Sequence, residues 1–94
     1  MYVGLLVLDC RIGEGHSLKE KRRILQSLTE HLKQRFNVSV AEVEHQDLWQ
    51  RTRLAVSVVN SSAREGRATL DKIRDAISGD QRLLIMDCEI AQLY

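Results

Sequence analysis

The stretch Ser17-Leu18-Lys19-Glu20-Lys21-Arg22-Arg23 sets four cations within five positions, a density of fixed positive charge suited to holding phosphate or another anion. Ser17 with Glu20 three residues on forms a capping box, so these cations fall in the first two turns of a helix. The dipole there presents roughly half a positive charge, and each added cation costs about 0.3–1 kcal/mol at low salt. A small domain is stable by only about 5–15 kcal/mol. A local expense of roughly 1–2 kcal/mol therefore points to an anionic partner outside the fold.

A second chemical signal is Trp49, the only tryptophan, set in the polar run Asp47-Leu48-Trp49-Gln50-Arg51. A flat apolar surface framed by charge suits stacking on a base or docking on a protein. His45 and Asp47, with His16, contain the elements of an acid–base or metal site, but a catalytic metal needs three protein ligands with supporting partners. Gly13-Glu14-Gly15 lacks the further glycine and the Gly-Lys-Ser/Thr ending of a nucleotide cradle, and reads as a tight turn. Cys10 and Cys88 are too few and too far apart for a disulfide framework or zinc site. No serine or cysteine has an evident base beside it. The expectation is a protein without catalytic residues, metal or cofactor.

These residues need a scaffold to bring them together. Residues 2–12 form a Val- and Leu-rich run that reads as a buried strand. The helix after Ser17 carries Leu18, Leu25, Leu28, Leu32 and Phe36 as one apolar stripe, closed by Asn37. Alternation over 38–43 and 53–59, separated by polar 44–51, predicts a β-hairpin. Ser62 and Glu65 open a second helix, with Gly66, Leu70, Ile73 and Ile77 on its inner face and Gly79 at its end. Residues 83–93 form a last strand. The order β-α-β-β-α-β predicts one α+β, ferredoxin-like domain over residues 1–94, with two helices on one face of an antiparallel sheet in strand order 4-1-3-2. That topology gathers His16, Lys19, Lys21, Arg22, Trp49, Gln50, Arg51 and Arg82 on one edge, with Arg53 just inside.

If Leu6, Leu8, Cys10 and Ile12 face the helices, Val3, Leu5 and Val7 with Ala55, Ser57 and Val59 face outward as an apolar and small-residue patch, which predicts a homodimer or another protein partner. The 94 residues carry a formal charge of only +1, so attraction to nucleic acid rests on the placement of cations rather than on their sum. Apolar runs are far short of the roughly 20 residues that span a bilayer. The N-terminus enters Tyr2-Val3-Gly4-Leu5-Leu6 without a signal-like leader, which predicts a cytoplasmic protein with no membrane partner.

The segments S-L-K-E-K-R-R-I-L-Q-S-L and F-N-V-S-V-A-E-V-E-H-Q-D-L-W-Q-R resemble the YlxP-like family of small bacterial proteins, and the likeness in length and element order spans the chain. The resemblance implies a ferredoxin-like fold and, in many bacteria, genes among those for translation initiation and ribosome maturation. It implies no established activity. The matching residues Ser17, Lys19, Glu20, Lys21, Arg22, Asn37, Ser39, Glu42, Asp47, Trp49 and Gln50 come without assigned roles, although capping accounts for Ser17, Glu20 and Asn37. The combined expectation is a non-enzymatic factor that binds ribosomal RNA or a ribosomal precursor particle through the basic edge. The alternative is an oligomeric interaction module that uses the open sheet face.

Overall fold

The computed structural model describes residues 1–13 and 16–94. Glu14 and Gly15 of the expected glycine turn lie outside the described residues. The elements run β1 (Tyr2–Ile12), α1 (Leu18–Arg35), β2 (Ser39–Glu44), β3 (Arg51–Asn60), α2 (Ala63–Ser78) and β4 (Leu83–Gln92). The strands form one antiparallel sheet in the order β2-β3-β1-β4, the predicted ferredoxin-like α+β arrangement.

Both capping boxes start helices. Ser17 Oγ accepts from Glu20 N–H and Ser62 Oγ from Glu65 N–H, each at 3.2 Å. Glu20 also reaches back, accepting from His16 N–H at 2.8 Å. The end of α1 differs from expectation. Phe36, rather than Asn37, is its C-cap and has already turned to extended backbone, so the Phe36 ring leaves the helical stripe and packs, half-buried, against the core. The hairpin strands also extend further than alternation alone suggests. β3 begins at Arg51 and pairs with β1 as far as Arg11.

Side-chain alternation divides the sheet into two faces. Tyr2, Leu6, Leu8, Cys10 and Ile12 of β1 and Leu54, Val56 and Val58 of β3 are buried against Leu25, Leu28 and Leu32 of α1 and Leu70, Ile73 and Ile77 of α2. Among the described residues no helix lies over the other face. Val3, Leu5 and Val7 lie there directly across from Val59, Ser57 and Ala55. Val59 is 63% exposed, so this face is uncovered within the single chain.

Close approach of α2 to β1 depends on two glycines. A Cβ at Gly66 would stand 2.3 Å from a Tyr2 ring carbon, and one at Gly4 2.6 Å from the same ring, so the buried ring is held between them. Gly66→Ala gains about 1 kcal/mol of helix propensity but overpacks the core at about 1–3 kcal/mol. With the ring trapped, the upper end applies. Chemical denaturation should show Gly66→Ala less stable by about 2 kcal/mol, and an unchanged midpoint would mean that the ring has room to yield.

Cys10 is fully buried, and burial, reinforced by Asp9 and Cys88, pushes its thiol from near 9 up to about 11. The unfolded chain therefore ionises first, and the stability this group contributes is intact below pH 9 and is lost as pH rises towards 11. Denaturation curves from pH 8 to 11 should fall more steeply for the native chain than for Cys10→Ala. Parallel curves would contradict the assignment.

Candidate nucleic-acid interface

Three hydrogen-bonded contacts assemble the predicted edge. Ile12 N–H at the end of β1 donates to Gln50 O at 2.8 Å, and Gly13 N–H donates to Arg82 O at 2.9 Å. The third is made by Lys21 near the start of α1, whose ammonium donates to His45 O and Leu48 O, each at 2.6 Å. The end of β1, the start of α1, the β2–β3 connection and the start of β4 therefore meet, as the topology requires.

Lys21 corrects one expectation. Its side chain is 1% exposed, and besides the two carbonyls it is paired with Glu42 at 2.8 Å. An ammonium has three N–H donors, so all are occupied inside the protein and none is left for a phosphate. Glu42 in turn accepts from the hydroxyl of buried Thr52 at 2.6 Å. Lys21, expected among the cations that meet an anionic partner, instead points inward on the same helix face as Leu25, Leu28 and Leu32. His45, whose carbonyl it holds, adopts the left-handed conformation at φ 67° and also accepts from Leu48 N–H at 3.0 Å, forming a compact turn.

The remaining predicted residues divide by partner. Arg53 pairs with Asp9, and Arg82 makes two hydrogen bonds to Asp80. Those bonds hold the Asp80 carboxyl below its ordinary value. Both guanidiniums are thus engaged with carboxylates. Lys19 and Arg22 are exposed, as is the adjacent Arg23. Trp49 is 38% exposed and meets His16 edge-on, with centroids 5.7 Å apart and planes at 64°. Gln50 is exposed beside it, and Arg51 is half-buried. The outcome is an open aromatic pair flanked by exposed cations of α1 that have no ion pair among the described residues, with Lys21 serving as its internal support.

Sequence reasoning did not identify Thr52 and Asp9, and it gave Glu42 no role. Their signal was present. Glu42 and Lys21 each occupy an inward position of an amphipathic element, and two opposite charges at such positions require each other. Arg11, directly across from Arg51, was likewise not singled out. Among the described residues no three of His, Cys, Asp and Glu are placed to share a metal ion. His45 Nε2 stands 3.8 Å from Asp9 Oδ1, while the His16 ring lies edge-on to Trp49. Among the described residues, no helix is long and apolar enough to cross a membrane.

The topology and edge define a ferredoxin-like α+β domain with a surface aromatic pair. Similarity to a solved designed protein, Ferredog-Diesel, supports the fold alone, with a TM-score of 0.50 at 15% identity over 95% of this chain and 83% of that one. The chain belongs to the family described as "Protein of unknown function (DUF503)", which matches residues 3–90. It is 35% identical over 71 residues to the "Uncharacterized protein YlxP" of Bacillus subtilis (strain 168), covering 76% of this chain and 77% of that protein.

The Lys21 contacts carry a stability prediction opposite to the one suggested by charge alone. Lys21→Met keeps the volume but leaves Glu42 without its cation and two carbonyls without their donor. Removing one member of a buried pair costs about 3–5 kcal/mol, and the partial exposure of Glu42, 19%, favours the low end. A loss of about 3 kcal/mol is expected by denaturation, against no loss for Arg22→Ala. Equal stability of Lys21→Met and the native chain would show that the ammonium does not hold the turn.

Proposed function

We propose that this protein is a non-enzymatic cytoplasmic factor that binds structured RNA, ribosomal RNA or a ribosomal precursor particle, through the edge formed by the start of α1 and the β2–β3 connection. The observation that carries this reading is Trp49, left partly exposed and braced edge-on by His16, beside the solvent-facing Lys19 and Arg22. An exposed ring with cations around it supplies both components of RNA binding: a surface for an unstacked base and charge for the phosphates on either side. The sheet carries no alternating aromatics, so the contact is at the rim rather than across the sheet as in an RNA-recognition motif. Supporting this reading further, the inward Lys21 fixes the backbone of the turn that ends beside Trp49, so a ring on a loop has a defined position.

Binding to a ribosomal RNA fragment, measured against salt, tests the proposal. Arg22→Ala should reduce the slope of log K against log salt by about 0.7 for a single-stranded contact, which extrapolates to roughly eightfold weaker binding at 50 mM salt. Trp49→Ala should weaken binding with the slope unchanged, because stacking releases no counterions. RNA affinity indifferent to both variants would reject the reading.

A second reading, association of two copies through the open face, is favoured by one observation. Val3, Leu5 and Val7 form continuous cross-strand pairs with Val59, Ser57 and Ala55, and no element among the described residues covers them. Sedimentation of the native chain and of Val59→Lys should then show a dimer that the variant loses, and a monomer at high concentration would rule it out.

A further inference from the structure

Arg11 of β1 and Arg51 of β3 are direct cross-strand partners on the open face. The bond from Ile12 N–H to Gln50 O joins the residue after Arg11 to the residue before Arg51, which marks Arg11 and Arg51 as a non-hydrogen-bonded pair. At such a pair the Cα atoms are about 4.5 Å apart and the side chains are closest. Two like charges at that spacing repel. Neither guanidinium has an ion pair or hydrogen bond among the described residues, and Arg51 Nε is buried without a partner, a state that few buried polar atoms tolerate. In the neighbouring row of the same face Asp9 is held by Arg53, and neither Asp87 across from Asp9 nor Glu44, 4.0 Å from Arg53, makes an ion pair with Arg11 or Arg51 among the described residues.

We propose that Arg11 and Arg51 together hold one phosphate group, a phosphodiester of the RNA bound at the Trp49 edge. The source of the phosphate rests on that RNA reading, whereas the pocket of charge rests on the sheet itself. A phosphodiester has one negative charge and two free oxygens, one for each planar guanidinium, and it neutralises the repulsion between them. Both arginines sit on paired strands, so their spacing is set before the ligand arrives. Arg51 is two residues from Trp49, which places the phosphate around the rim from the stacked base.

The test uses isotope-labelled protein, with the arginine Nε–Hε signals followed during addition of inorganic phosphate or sodium chloride at matched ionic strength. The Arg11 and Arg51 signals should shift saturably with phosphate only, while those of Arg64 and Arg67 on α2 stay still. Arg11→Gln should abolish the Arg51 response and raise the melting temperature by a few degrees, because a like-charge pair is removed. With single-stranded RNA, Arg11→Gln should lower the salt slope by about 0.7. An Arg51 signal that follows ionic strength alone, or an Arg11→Gln variant that melts lower and keeps the phosphate response, would overturn the site. A phosphate response combined with RNA affinity indifferent to Arg11→Gln and Trp49→Ala would reject RNA as the source and assign the site to a small phosphate-bearing solute.

Discussion

A buried ammonium must have all its protons bonded, and that constraint on Lys21 organises the functional end of this domain. Its bonds reach Glu42 on β2 and two carbonyls in the β2–β3 connection, and Glu42 extends the chain to Thr52 on β3. The start of α1 is thus tied at one point to three parts of the continuous hairpin. Removing the charge from water is expensive, and the pair is stable only because every donor finds an acceptor. An apolar side chain at position 21 could fill the space but would not fix the two carbonyls. The lysine therefore specifies the path of the connection more than it adds to the stability of the core.

That path determines what the edge presents. With His45 O and Leu48 O drawn inward, the chain between them turns tightly, and Trp49 emerges beside His16 instead of folding under the sheet. The aromatic pair and the exposed cations of α1 occupy the outer side of the structure that Lys21 secures from within. Polar burial and surface display are two consequences of the same contact.

Capping and periodicity made the fold legible. Ser17 and Ser62, each with a glutamate three residues on, marked the true helix starts, and the alternation in the hairpin identified its strands. The boundaries were less accurate because tertiary pairing extends β3 two residues beyond its alternating pattern and the core pulls Phe36 out of its helix. The basic edge was legible as a location but not in its detail. By position in the first two turns, Lys19, Lys21, Arg22 and Arg23 read as one group open to an outside anion, although the helical repeat puts Lys21 on the Leu25 and Leu28 face. The cost of that cation near the helix start is offset by Glu42 and two carbonyls, so it is architecture, and only its neighbours remain available outside. Ion pairing of Arg53 with Asp9 and of Arg82 with Asp80 was likewise invisible to a count of positive charges.

The open face separates two kinds of surface by register. Towards the start of β1 it carries Val3, Leu5 and Val7 with their partners Val59, Ser57 and Ala55, and towards its end it carries Asp9 and Arg11 opposite Arg53 and Arg51. In the charged rows, Arg53 is paired with Asp9, in a row that also holds Asp87 and Glu44, while Arg11 and Arg51 have no ion pair among the described residues, so the unpaired positive charge lies at the limit of the sheet nearest Trp49. A second copy seated on the apolar rows and a phosphate chain passing over the last row would meet different residues of the same strands. The two readings of this domain are therefore physically compatible, and a dimer would carry two such edges on one assembly.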